Sequence, residues 1–142
     1  MLADNEIRQV LQKAVTVAIV GMSDRPERDS HAVARFLQRN GYRIVPVNPN
    51  LQGPVLGEQP YASLRDVPFH VDIVDIFRSS EFVPDVVEDA LAINADVAWM
   101  PLGVIHQRAA MRAQAAGLGV VMDRCIAIEH RRLMHVPEGV LL

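Results

Sequence analysis

The sequence predicts an α/β fold: a doubly wound parallel sheet of about five strands, in the order 3-2-1-4-5, with helices on both faces. Three observations predict it. Short β-branched runs alternate along the chain with apolar stripes of helical period. The connections between them are short and punctuated by Gly, Pro, Asn and Asp. The first strand ends on a glycine loop that feeds straight into a helix, as parallel β-α units require.

Taken in order, Ile7, Val10, Leu11 and Ala14 recur at helical spacing, with Asp4 or Asn5 as cap. Val15-Thr16-Val17-Ala18-Ile19-Val20 is an apolar run that reads as a buried strand, and Gly21-Met22-Ser23-Asp24-Arg25-Pro26 is the loop after it. A helix from Ser30 to about Asn40 places Val33, Phe36 and Leu37 on one side, and Gly41 stops it in a left-handed turn. Tyr42 to Val47 is the second strand, with Pro46 near its end because proline cannot donate to a ladder. Asn48-Pro49-Asn50 then turns the chain into a loop through Gly53, Pro54, Gly57 and Pro60, with one helical turn over Ser63 to Val67.

Val71 to Ile76 is the third strand. Val83, Val86, Val87, Ala90 and Leu91 form the stripe of the next helix, with Pro84 in its first turn and Ser79 or Ser80 as cap. Asp96 to Met100 is the fourth strand, broken by Pro101-Leu102-Gly103. An alanine-rich helix from Ile105 to Ala116 closes at Gly117, Gly119 to Met122 is the fifth strand, and a last helix covers Ile126 to Leu133. The tail Val136-Pro137-Glu138-Gly139 reads as irregular. No repeat, low-complexity segment or linker divides the 142 residues, so one domain over 1–142 is expected.

A net charge of −3 argues against a non-specific nucleic-acid binder, which needs a basic face. The single cysteine, Cys125, excludes an internal disulfide and suits a reducing compartment; a small buried apolar residue is its plainest role. Asp4 and Glu6 interrupt the N-terminus, so it does not read as a signal peptide, and no apolar run reaches the ~20 residues of a membrane span. The expected location is cytoplasmic, with no membrane or nucleic-acid partner.

In a doubly wound sheet the ligand crevice lies beyond the carboxyl ends of the strands. That rule selects Gly21 to Pro26, Asn48-Pro49, Phe77-Arg78-Ser79, Pro101-Leu102-Gly103 and Asp123-Arg124-Cys125, far apart in sequence but on one rim. A strand–glycine–helix junction turns backbone N–H groups and the positive helix end toward one spot, which suits a phosphate. Ser23, Arg25 and Arg28 add a hydroxyl and two guanidinium groups. The dinucleotide fingerprint is missing: Ser23 stands where its second glycine belongs, and the second strand ends Val47-Asn48-Pro49 with no carboxylate for a ribose diol. An NAD(H)-binding redox sensor or oxidoreductase is therefore the alternative rather than the first reading.

Other chemistry finds little support. His31, His70, His106, His130 and His135 are scattered, with no zinc spacing, and read as solvated or capping groups; no metal is expected. Asp72 and Asp75 are an odd number apart on a strand, so they face opposite sides and form no acid–base pair. Trp99 and Met100 read as core, and Phe77 as a rim residue that either stacks on a base or simply packs. Arg124, Arg131 and Arg132 read as a solvated face, with a phosphate role open.

The ordered set Ala18-Ile19-Val20-Gly21-Met22-Ser23 with Pro26, Gly41 to Pro49, Val71 to Arg78, Val97 to Gly103 and Val121 to Cys125 resembles the small CoA-binding protein family, single Rossmann-like domains similar to the CoA-binding domain of the succinyl-CoA synthetase alpha subunit. The resemblance implies coenzyme A, or an acyl-CoA, as ligand. It implies that Gly21 and Ser23 contact the pyrophosphate with Arg25 near the phosphates, that Val47, Asn48 and Pro49 border the nucleotide half, that Phe77, Arg78 and Ser79 form the next wall, and that Leu102 and Gly103 mark the exit toward the pantetheine arm. Met22, Ser30, Val83 and Pro101 complete the expected contact set. One departure stands out: the family usually carries glutamine before the Leu-Gly pair, and Pro101 offers neither a side-chain amide nor an N–H. The larger synthetase subunits add a domain with a phosphohistidine that carries the chemistry. A binding module with no catalytic residues of its own is therefore expected, with a separate acyl-CoA enzyme as a candidate partner.

Overall fold

The computed structural model describes residues 1–134. The tail expected over Val136-Pro137-Glu138-Gly139, and His135, lie outside them. Five parallel strands form one sheet: β1 (Thr16–Val20), β2 (Arg43–Val47), β3 (Ile73–Ile76), β4 (Val97–Trp99) and β5 (Gly119–Val121). Helices α1 (Asp4–Lys13), α2 (Asp29–Arg39) and α5 (Ile126–Met134) cover one face; α3 (Val83–Ala92) and α4 (Gln107–Ala115) cover the other. The three-layer doubly wound architecture is as the alternation predicts. No helix among the described residues is long and apolar enough to cross a membrane.

The strand order is 2-1-3-4-5, not 3-2-1-4-5. β3 lies beside β1, and β2 is the edge strand. Pro46 explains why β2 tolerates that place and no other. It pairs in register with Ile19, and its carbonyl accepts from Tyr61 N (2.9 Å) on the outer side of the strand. A residue's N and C=O point to the same side of a strand, so the missing N–H of Pro46 also faces away from β1 and costs no ladder bond. Asp72 fixes the other neighbour. Its Oδ2 accepts from Val15 N (2.8 Å) and Thr16 N (2.9 Å), and its own N–H donates to Thr16 O (3.0 Å), which clamps the start of β3 to the start of β1.

Each sheet face has its own core. Val17, Ile19, Ile73 and Trp99 pack against Ile7, Leu11, Val33, Leu37 and Ile126; Ala18, Val20, Val74 and Ile76 pack against Val83, Val87, Ala109 and Ala113. Trp99 and Met100 are core residues, and Trp99 Nε1 donates to Arg124 O (2.7 Å), so even the largest ring has its polar atom satisfied. The helix ends differ from expectation in detail. Ala3, not Asp4 or Asn5, precedes α1, and the Glu6 carboxylate accepts from its N–H (2.9 Å). A 3-10 turn over Ser80–Phe82 leads into α3 without a serine cap, because Ser80 Oγ accepts from Ile105 N (3.0 Å) instead. His106 caps α4, its Nδ1 accepting from Ala109 N (3.0 Å). Pro84 stands in the first turn of α3, where its lost N–H has no helical partner to lose.

Candidate functional site

The order 2-1-3-4-5 puts the reversal of winding between β1 and β3, and the crevice of such a sheet opens there. Gly21 sits at that point. It leaves β1 with φ +82°, and its N–H donates to Val47 O (2.8 Å) at the end of β2. A Cβ on Gly21 would lie 2.2 Å from the Phe77 carbonyl oxygen and 3.0 Å from Arg78 Cδ. The ends of three strands thus converge on one residue that has room for no side chain.

The loop that follows is braced from within. Ser23 N donates to Ser30 Oγ (3.0 Å), Arg25 N to Ser23 Oγ (3.1 Å) and Arg28 N to Arg25 O (3.0 Å). Asn48 Nδ2 donates to Met22 O (3.0 Å), while its Oδ1 accepts from Asn50 N (3.0 Å). These bonds change the anion-binding expectation. The N–H groups of Ser23 and Arg25 are thereby taken, while the two serine hydroxyls only accept in these bonds and keep their O–H donors; the positive charge beside the loop comes from the arginines and from the start of α2. No side chain caps that helix, and its first residues, Asp29 and Ser30, line the crevice.

Two cavities open on the rim and share Gly21, Phe77 and Arg78 as their common wall. The first, about 760 Å³, lies on the α2 side. Ser23, Arg25, Arg28 and Ser30 line one part of it; Val33, Pro101, Leu102, Val104, Cys125 and Ile126 line another. The second, about 540 Å³, lies between the β2 turn and α3, and includes Val47, Asn48, Pro49, Ser63 and Phe82 together with Asp85 and Asp89. Their charges differ in a way that decides their use. The first has three guanidinium groups against Glu27 and Asp29; the second has Arg78 against Asp85 and Asp89, and Asp89 is already paired with Arg65 (2.6 Å). The excess of positive charge therefore lies in the first. Arg78 lies on the dividing wall with its guanidinium carbon 4.3 Å from the centre of the Phe82 ring, within cation–π range.

Of the residues expected from the sequence, Gly21, Ser23, Arg25, Ser30, Phe77, Arg78, Pro101 and Leu102 meet at the first cavity. Val47, Asn48 and Pro49 meet at the second. Met22 and Val83 do not belong: both are fully buried in the core, Met22 against the α2 face and Val83 against the α3 face. Each holds the rim from beneath rather than touching what sits on it. Ser79 and Gly103 are exposed and line neither cavity. Sequence reasoning missed the acidic pair Asp85 and Asp89 and the ring of Phe82, which the first turns of α3 turn toward the rim. The signal for Asp85 and Asp89 is their place at polar positions between Val83, Val86, Val87 and Ala90; Phe82, just before that stripe, has no such signal.

Three further groups of polar residues lie elsewhere. His70, Asp72 and Asp96 come together at the opposite, amino-terminal edge of the sheet, with His70 Nε2 3.2 Å from Asp96 Oδ2 and 3.4 Å from Asp72 Oδ1. Sequence spacing did not reveal them, because strand pairing and not a local motif unites them. Arg132 reaches Asp4 (2.8 Å) and Glu129 (2.6 Å) and ties α5 to α1, which assigns it a structural role; the pairing holds the Asp4 carboxyl below its ordinary range. Asp75, between Ile19 and Trp99 in the middle of the sheet, is fully buried and neither carboxyl oxygen has a partner. Burial alone raises its pKa well above the ordinary carboxylate value. His31 is buried too, with Nδ1 unpaired, and His130 packs edge-on against Phe36 and Tyr42; neither is the solvated group expected.

Comparison with known proteins agrees with this geometry. The uncharacterized protein YneT of Bacillus subtilis is 40% identical over 125 residues, covering 88% of this chain and 92% of its own. A hypothetical protein from Pyrococcus horikoshii superposes with a TM-score of 0.90 at 36% identity, covering 94% of each chain. A protein from Thermus thermophilus, cell-free ID.343, gives 0.89 at 39% identity, covering 93% of this chain and 99% of its own. Residues 15–131, from the start of β1 into α5, match the CoA binding domain, and the chain belongs to that family.

Proposed function

We propose that this domain binds coenzyme A at the rim between β1 and β3, and that it binds without catalysing a reaction of its own. The observation that carries the reading is the uneven charge of the two cavities in a chain of the CoA-binding family. The phosphates sit in the first cavity, against Arg25, Arg28, Arg78 and the uncapped start of α2, where guanidinium groups pair with phosphate oxygens in a two-pronged way. The adenine takes the second cavity, where Val47, Pro49, Phe77 and Phe82 offer apolar surface and Asn48, Ser63 and Asp85 offer polar partners for the base, while the ribose with its 3′-phosphate stays at the dividing wall beside Arg78. Among the described residues no histidine or lysine lines either cavity, and Cys125 is the one thiol, so no nucleophile stands beside a histidine or lysine base. A cytoplasmic protein that holds CoA for a separate acyl-CoA enzyme fits this chemistry.

Thermal unfolding with and without ligand tests the reading. CoA at a hundredfold excess over its Kd stabilises the folded state by about 2.7 kcal/mol, a clear upward shift in Tm, whereas NAD at the same concentration leaves Tm unchanged. Replacing Arg78 by alanine weakens CoA binding more than replacing Ser23, because a charged phosphate contact exceeds a neutral one. No shift with CoA, or an equal shift with NAD, defeats the proposal.

A further inference from the structure

The first cavity is not uniformly polar, and its apolar lining points to a more specific ligand. Besides the arginines and serines, Val33, Phe77, Pro101, Leu102, Val104 and Ile126 line it, together with Cys125. Pro101 is buried at its floor and brings no N–H and no polar side-chain atom. Leu102, which lines the cavity, is 60% exposed, and Ile105, three residues on along the same loop, is 44% exposed.

That exposure is built, not slack. Val104 N donates to Pro101 O (2.9 Å), Gly103 N to Asp123 Oδ1 (2.7 Å) and Ile105 N to Ser80 Oγ (3.0 Å). Three hydrogen bonds therefore pin the loop to itself, to the end of β5 and to the start of α3. The pinned backbone holds Leu102, at the cavity, and Ile105, three residues on, with their aliphatic side chains in water. Covering that surface with an apolar group when the site fills is favourable.

On the reading that CoA phosphates lie against the arginines, we infer that the preferred ligand is a CoA thioester with an aliphatic acyl group, not free CoA, and that Leu102 and Ile105 receive the acyl chain. The occupant is expected to carry both negative charge and aliphatic surface, because Arg25, Arg28 and Arg78 line the cavity together with Val33, Pro101, Leu102, Val104 and Ile126. An acyl-CoA has both. Free CoA presents its thiol where the chain would lie and leaves Leu102 and Ile105 in water.

Isothermal titration of the full chain with CoA, acetyl-CoA and hexanoyl-CoA tests this. Hexanoyl-CoA is expected to bind about tenfold more tightly than acetyl-CoA, as follows if roughly half of its four added methylenes leave water. In the double variant Leu102→Ser with Ile105→Ser that advantage, taken as the ratio of hexanoyl-CoA to acetyl-CoA affinity within the same protein, should fall below about threefold. Both side chains are exposed, so circular dichroism of the variant should match the parent. Binding of all three ligands with equal affinity, or a hexanoyl advantage that survives the double substitution, overturns the acyl assignment and leaves CoA binding standing. Failure of all three to bind overturns the underlying reading as well.

Discussion

Replacing Gly21 by alanine tests the point on which the rim depends. Two separate costs arise there. At φ +82° a residue with a Cβ is held in the left-handed region, which costs roughly 1–2 kcal/mol. The new methyl group would also stand 2.2 Å from the Phe77 carbonyl oxygen, a backbone atom that no rotamer change can move. Pushing β3 away to make room resembles overpacking a core, about 1–3 kcal/mol. Together the expected destabilisation is about 2–5 kcal/mol, which for a chain of 142 residues lowers Tm by about 7–15 °C. Gly41→Ala is the internal control. Gly41 has φ +93° but no atom within 4 Å of the added Cβ, so it carries the conformational cost alone and should lose only about 3–6 °C. Calorimetry of the two variants, with urea unfolding for the free energies, separates the terms. Equal losses in both would refute the claim that close approach of β1 and β3 builds the site.

Three other outcomes are expected. Burial raises the pKa of Asp75 in the folded chain well above the ordinary value it keeps in the unfolded chain, so the native form is favoured at low pH and loses stability as pH rises from the unfolded pKa toward the folded one. Asp75→Asn removes that titration, so the variant should gain on the parent in urea midpoint between pH 4 and pH 8; a difference that stays flat with pH contradicts it. Asp72→Ala leaves the Val15 and Thr16 N–H groups without their carboxylate and should cost about 2 kcal/mol in urea unfolding, while Asp96→Ala, whose carboxylate is exposed and meets only His70, should cost less than about 0.5 kcal/mol. Cys125 lines the first cavity, so saturating CoA should slow its alkylation by iodoacetamide; an unchanged rate under conditions where titration shows CoA bound would place the ligand elsewhere.

Much of the fold was legible because it rests on local pattern. The apolar stripe of Val83, Val86, Val87 and Ala90 and the β-branched runs of β1 and β3 need no knowledge of neighbours, and each lies where its periodicity placed it. The boundaries slipped where a distant partner decides them. Ser80 caps nothing because Ile105, 25 residues on, takes its hydroxyl, and Ser23 braces its own loop instead of leaving its N–H for a ligand. Burial was the other blind spot. Met22 and Val83 sit inside motifs that carry the rim, but a motif does not say which of its members point down into the core.

The strand order is also written in the sequence. Pro46 does more than stand near the end of a strand: a proline in mid-strand says that one side of that strand has no partner. In the order 3-2-1-4-5, β2 would pair on both sides and Pro46 would break one ladder. Placing β2 at the edge leaves β1 to pair with β3, and the change reaches the site directly. It brings Phe77 and Arg78, not the end of β4, against Gly21, and so makes one aromatic ring and one guanidinium the wall between a cationic cavity and one without that excess of positive charge. A ligand with phosphates at its middle and different chemistry at each end can lie across such a wall. Arg78 is the one cation within reach of both halves, which is why its substitution should weaken binding more than that of any residue confined to a single cavity.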